Sequence, residues 1–186
     1  ALILYIYAWM NPSALWSVPL LYLAIQGVDA IIAPLAGASY DRHGAKILML
    51  PFILSVLPTF FISLALERWS TLRGSGLCLY TLAPAMLVVF AGVVFGVILG
   101  MQESIYRAAV ADLTGISKRG TGYGIFNTAY GLGFLVSGFV FGYMLDHITW
   151  GRMFTIIALG YTISVEVVAT LLLWLSVRMY KRGQQS

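Results

Sequence analysis

Charged residues are scarce in this chain of 186 residues. They make up 10% of it, whereas 60% of the residues are hydrophobic and the mean hydropathy is +0.89. Soluble domains carry about 25% charged residues. The composition therefore excludes a soluble enzyme, a nucleic-acid-binding domain and a disordered protein. We expect an integral membrane protein that contacts the lipid bilayer and binds no nucleic acid.

Metal-binding residues are also few. The single cysteine, Cys78, cannot supply a disulfide framework or a cysteine-based metal site, and the two histidines, His43 and His147, lie far apart. The sequence therefore predicts no metal site and no cofactor. The chain begins at Ala1 without a basic segment ahead of an apolar one, so we expect no signal peptide and interpret the chain as a fragment.

Apolar blocks long enough to cross a bilayer recur along the chain. About 20 apolar residues cross the hydrocarbon core, and proline, glycine and charged residues mark where the blocks end. Residues 1–10 are too short to cross and are interpreted as the end of a truncated helix. Five full spans are predicted, at about 14–39, 46–66, 80–101, 121–144 and 152–177. Ser13 is a predicted N-cap. Residues 103–119 are predicted to form a short interfacial helix followed by a basic turn.

The basic residues are distributed unequally between the two sides of these spans. Eight of the eleven fall on one side, and three, Arg68, Arg73 and Arg152, fall on the other. Cytoplasmic loops are enriched in lysine and arginine. The side with eight basic residues is therefore predicted to be cytoplasmic, and the C-terminus lies on that side.

The turn between the first two spans carries the strongest local pattern. Residues 37–46 fit G-x-x-x-D-R-x-G-x-[RK], with Gly37, Asp41, Arg42, Gly44 and Lys46 at the defined positions. A glycine at the first position allows close helix approach, and the glycine after the arginine permits a tight turn. The adjacent aspartate and arginine can pair or cap a neighbouring helix. Composition alone favours an ordinary basic turn.

In this position and spacing, the turn resembles the signature of the major facilitator superfamily. Further segments look like the loop between helices ten and eleven and the final hairpin of prokaryotic members; they are residues 102–113, 119–127, 142–146 and 150–154. The resemblance implies an all-α transmembrane helical bundle that is half of a twelve-helix transporter, with the five spans as helices eight to twelve. It also implies a missing N-terminal six-helix half as partner, and a prokaryotic plasma membrane.

Two glycine stripes are predicted on helix faces, at 100° per residue. The third span carries Gly92, Gly96 and Gly100, continued by Glu103 and Arg107; the fourth carries Gly124, Gly131, Gly138 and Gly142, together with Asn127. Because small residues let helices approach closely, both stripes are predicted to pack against other helices, in a static or a sliding contact. The Glu103–Arg107 pair is either a solvated pair or, as the resemblance favours, part of a gate.

A few polar side chains lie at membrane depth. The first span places Tyr22, Gln26 and Asp29 on one stripe, and the fifth contains Glu166. No lysine or arginine within a span neutralises either carboxylate, so each is protonated, faces water or pairs with the missing half. With Asn127, these residues are candidates for substrate contact or proton coupling. The alternative is a protonated packing residue.

These observations predict the C-terminal half of a secondary active transporter that moves a small-molecule substrate by alternating access, with proton coupling as an option. No catalytic pair is visible, so we expect no enzyme. The alternative is a membrane interaction or scaffold protein that has the same fold without transport.

The charge distribution makes a testable prediction of topology. A cysteine introduced at Arg73 should react with an impermeant reagent from outside the cell, and a cysteine at Ser186 only after permeabilisation. The reverse pattern would overturn both the orientation and the resemblance.

Overall fold

The structure, a computed structural model, describes residues 2–72, 82–148 and 152–183. Those residues form seven α-helices: α1 Leu2–Met10, α2 Val18–His43, α3 Leu50–Leu54, α4 Val56–Leu72, α5 Leu82–Leu113, α6 Arg119–His147 and α7 Arg152–Gly183. Short 3-10 segments cover Pro12–Ser17, Gly44–Met49 and Ile116–Lys118. The predicted all-α helical bundle is confirmed. Arg73, Cys78 and Ser186 lie outside the described residues.

Four stretches of the described chain are long and apolar enough to cross a membrane. They are Pro12–Thr71, Leu82–Leu113, Ile116–His147 and Arg152–Leu175. The first stretch contains two long helices, α2 and α4, with α3 between them. The five spans predicted from the sequence therefore correspond to α2, to α3 with α4, and to α5, α6 and α7.

The chain reverses direction at Gly44, where α2 ends. Gly44 has φ 59° and ψ −147°, a conformation that residues with a side chain rarely adopt. After this turn, α3 and α4 run antiparallel to α5, because Phe52 contacts Tyr106 and Phe61 contacts Phe90. The turn at Gly44 and the turn before α6 lie at the same end of the bundle, which we call the turn end.

Helix α2 instead runs parallel to α5, and the contact between them is very close. A Cβ atom built on Gly96 would lie 2.6 Å from the backbone oxygen of Ile25, and one on Gly100 would lie 2.6 Å from the backbone oxygen of Asp29. Gly92 faces side chains of α2 in the same row. We call this row of three glycines against α2 the glycine seam. It brings the backbones of two helices into contact, as small residues in membrane helices permit.

The glycines of α6 have different surroundings. A Cβ atom built on Gly124, Gly131, Gly138 or Gly142 would meet nothing within 4 Å in the described part of the chain. Within the described chain no helix therefore packs against this stripe, and its packing against another helix remains a prediction. The reason is that α6 contacts α5 through another face, where Phe126 lies against Tyr106 and Tyr130 reaches Gln102.

Two helix boundaries differ from those predicted. The third span was expected to end near residue 101 and to be followed by a separate interfacial helix, whereas α5 continues without interruption to Leu113. The segment after residue 101 loses hydropathy but contains no proline or glycine before Leu113, so the helix continues. Ser13 lies within a 3-10 segment, and α2 begins at Val18 without a side-chain capping bond.

Two hydrophobic clusters hold the helices together at opposite ends of the bundle. The larger contains Ile6, Leu66 and Phe154, which are almost fully buried, and it joins α1, α4 and α7 to α5. The smaller lies at the turn end around Ile105 and Leu48. α5 contributes to both clusters and is the central helix of the bundle.

The glycine seam makes a prediction about stability. In a helix, Gly→Ala ordinarily stabilises by about 0.5–1 kcal/mol, but at Gly96 the added methyl group would collide with the backbone oxygen of Ile25. Gly96→Ala in the full-length protein should lower the free energy of unfolding by about 1–3 kcal/mol and lower the melting temperature in detergent. Gly160→Ala on α7, where a Cβ meets nothing within 4 Å, is the control and should leave it unchanged or higher. Equal melting temperatures of Gly96→Ala and the wild-type protein would contradict the close contact at the glycine seam.

Candidate functional site

The motif turn lies exposed at the turn end of the bundle. Asp41, Arg42 and Lys46 are exposed, whereas Gly37 lies against α5, with a built Cβ atom 2.9 Å from the Ser104 hydroxyl. Within the described chain, neither Asp41 nor Arg42 forms a salt bridge. The turn therefore presents two opposite charges that are free to contact another surface, while the helix before it is fixed to α5.

A contact that sequence reasoning missed fixes the end of α2 beside this turn. The Tyr40 hydroxyl donates a hydrogen bond of 3.1 Å to Oδ2 of Asp112 at the end of α5. Tyr40 is buried, and it directly precedes the exposed Asp41. No sequence pattern predicts this pair, because its members are 72 residues apart.

Glu103 and Arg107 form a salt bridge of 3.6 Å, four residues apart on the extended end of α5. Both side chains are partly exposed, at 37% and 53%. Such a pair contributes only about 0.3–0.5 kcal/mol to helix stability. The structure therefore brings the two together, as the spacing predicts, but it does not connect them to the Asp41–Arg42 turn.

The polar stripe of α2 has mixed surroundings. Asp29 is half-buried beside Gly100, and Gln26 is half-buried, whereas Tyr22 is 53% exposed. Asn127 is exposed on α6. Among the described residues, no side-chain hydrogen bond joins any of these four. They are thus open to contact with groups outside the described bundle.

The remaining candidate, Glu166, lines a cleft of about 790 Å³ between α4, α5, α6 and α7, and Leu2 and Ile3 of α1 also line it. The Ser55 hydroxyl approaches its carboxyl group, but Oε2 is buried and has no hydrogen-bond partner among the described residues. One turn away from Glu166 on α7, Thr162 donates a hydrogen bond of 2.9 Å to the Ala158 backbone oxygen, and its hydroxyl lies 3.4 Å from the Thr59 hydroxyl. The hydroxyl groups of Ser55, Thr59 and Thr162 therefore belong to residues that line the same cleft as this carboxyl group.

A hydrogen bond between α5 and α6 borders the cleft. The Tyr130 hydroxyl donates a hydrogen bond of 3.3 Å to Oε1 of Gln102, and both residues line the cleft. Tyr130 also packs edge-on against Phe134. The described residues contain no group of three or more histidine, cysteine, aspartate or glutamate side chains able to hold a metal ion.

Comparison with known proteins identifies the family. The chain matches the family model of the Major Facilitator Superfamily over residues 3–185. It is also similar to uncharacterized proteins of Mycobacterium bovis and Mycobacterium tuberculosis, at 31% identity over 157 residues. The match covers 84% of this chain but 32% of each relative, so the chain spans about a third of their length. No solved structure matches it. With a match over almost its whole length and apolar helices throughout, the chain is an integral membrane protein that belongs to the major facilitator superfamily of membrane transporters.

Proposed function

We propose that this chain is the C-terminal half of a secondary active transporter that moves a small molecule by alternating access. Its partner is an N-terminal six-helix half, which supplies the other wall of the substrate path. The protein lies in a prokaryotic plasma membrane with its C-terminus in the cytoplasm, and it catalyses no covalent reaction. The family match and the mycobacterial relatives support this proposal.

One observation carries the proposal: a closely packed pair of helices ends in an exposed and unpaired charged turn. Alternating access requires bundles that move as units and contacts between them that form and break. The glycine seam joins α2 to α5, and the Tyr40–Asp112 hydrogen bond holds their ends together. Asp41 and Arg42 follow directly and have no salt-bridge partner within the described residues. We propose that this turn is a latch that contacts the other half in one conformational state.

The latch can be tested with Asp41→Asn, which keeps the size of the side chain and removes its charge. In the full-length protein in proteoliposomes, turnover should slow by about fivefold or more, while substrate affinity stays within a few fold. The alkylation rate of a cysteine at Thr128, exposed on α6, should also change because the balance of states shifts.

The matched control is Asp146→Asn, which neutralises an exposed aspartate near the opposite end of the bundle. It should change neither turnover nor alkylation. A large loss of substrate affinity in Asp41→Asn with an unchanged alkylation rate would show that the turn is not a latch.

The half-buried face of α2 is the proposed substrate or proton-coupling surface. Asp29 and Gln26 are half-buried and have no side-chain partner in the described bundle, and Tyr22 on the same stripe is exposed. A carboxyl group at membrane depth without a cation is costly unless it meets water, a proton or a partner. We propose that Asp29 meets the substrate path between the two halves.

Asp29→Asn tests this role. The variant should lose accumulation driven by a pH gradient, because an amide cannot carry a proton, but it should keep energy-independent exchange of substrate across the membrane. Both activities are measured in proteoliposomes with a substrate found by screening labelled sugars, carboxylic acids, amino acids and peptides. Glu67→Gln at the end of α4 is the control and should retain both. If Asp29→Asn retains pH-driven uptake and lowers only the melting temperature, Asp29 is structural.

The alternative is a scaffold protein with this fold and no transport. Nothing in the described contacts requires movement of solute, so uptake decides between the two. A correctly folded full-length protein that accumulates none of the screened solutes would favour the scaffold.

A further inference from the structure

The cleft between α4, α5, α6 and α7 contains a carboxyl group that the proposed function does not use. Glu166 lines it, and the buried Oε2 of Glu166 has no hydrogen-bond partner among the described residues. Leaving a buried polar atom unpaired costs about 1–3 kcal/mol, and more for a charged group. A group that enters the cleft and pairs with this oxygen would recover that free energy.

The walls of the cleft are mainly aromatic and aliphatic. Six aromatic rings line it, contributed by α5, α6 and α7: Phe95, Tyr130, Phe134, Phe141, Phe154 and Tyr161. Aromatic faces attract cations, by about 0.5–1 kcal/mol at exposed sites and about 2 kcal/mol or more when desolvated. They also provide a large apolar area for the body of a ligand. The cleft volume of about 790 Å³ lies within the range that holds drug-sized molecules.

No positively charged side chain among the described residues lines the cleft beside this carboxyl group. Among the described residues that line the cleft there is no lysine, arginine or histidine, and Glu166 is the one acidic residue. The hydroxyl of Ser55, the residue between α3 and α4, approaches the carboxyl group. Its surroundings thus offer hydroxyl groups and rings but no counter-ion of the protein.

These observations select the charge and the shape of a ligand. An anion would be repelled by the carboxylate, and a small hydrated cation would lose its water to apolar walls. A neutral molecule would leave the charge of the carboxylate uncompensated. An organic cation with a large apolar body satisfies the carboxylate and the rings together.

We propose that this cleft binds an amphiphilic monocation, with Glu166 as its counter-ion and the aromatic rings as its apolar walls. The site lies within one helical bundle, so it does not depend on the proposed transport between two halves.

The probe is tetraphenylphosphonium, tested against tetraphenylborate, which has the same shape and the opposite charge. Binding of each to the full-length protein in lipid nanodiscs is measured by equilibrium dialysis, with empty nanodiscs subtracted. The wild-type protein should bind the cation saturably and the anion weakly. Glu166→Gln should weaken binding of the cation by about tenfold or more, and Glu67→Gln, which alters a carboxylate outside the cleft, should not.

A second pair of variants tests the cleft while leaving the carboxylate intact. Gly138 lines the cleft, and a Cβ built there meets nothing within 4 Å, so Gly138→Phe adds a ring at the wall of the cleft. It should also weaken binding of the cation by about tenfold or more. Gly160→Phe, outside the cleft on α7, should bind as the wild-type protein does.

Three results would overturn the inference. The first is that the wild-type protein and Glu166→Gln bind the cation with equal affinity. The second is that the wild-type protein binds the two ions with equal affinity. The third is that no saturable binding is found, as expected if another segment of the longer protein fills the cleft. None of them bears on transport. Conversely, binding that meets the expectations above, in a protein that accumulates no solute, would support the cleft and contradict the proposed function alone.

Discussion

The contact between the backbones of α2 and α5 is the constraint on which the rest of the bundle depends. A lipid-exposed bundle gains little hydrophobic stabilisation from packing one helix on another, because lipid tails are as apolar as leucine. Close approach must supply the attraction through dispersion and weak hydrogen bonds, both of which fall off steeply with distance. Gly96 and Gly100 permit that approach, since any side chain there would meet a backbone oxygen of α2.

The other helices are arranged around this pair by a different kind of contact. α4 and α6 also meet α5 through aromatic side chains, such as Phe61 on Phe90 and Phe126 on Tyr106. Rings hold helices further apart than glycines do. The spacing leaves room for the cleft on the α4–α7 side of α5, whereas the glycine seam brings α2 against α5. The side chains of α5 thus decide where the bundle is closed and where it is open.

Much of the fold could be predicted from the sequence. Hydropathy located all five long segments, and the motif spacing predicted the reversal at Gly44, because both depend on local chemistry. The two glycine stripes show where local reasoning ends. They look alike in sequence, but one packs against α2 and the other faces open space, and only the arrangement of the whole bundle decides which face of a helix meets a neighbour.

The candidate site was harder to predict for the same reason. The sequence identified Glu166 as a carboxyl group without a cation, but its cleft is assembled from five helices. The Tyr40–Asp112 hydrogen bond joins residues 72 positions apart, and no periodicity connects them. The full length of α5 was missed because hydropathy reports where a helix leaves the lipid, whereas helix propensity decides where it ends.

The length of α5 makes it a lever. A helix of 32 residues is about 48 Å long at 1.5 Å per residue, well beyond the roughly 30 Å of hydrocarbon. A tilt of about 10° about the end of α5 that lies away from the turn end would displace its other end by roughly 8 Å, because the helix is so long. That end carries Asp112, which holds Tyr40 and therefore the start of the charged turn. A small change in the tilt of α5 would therefore cause a larger displacement at the turn end, where Asp41 is exposed.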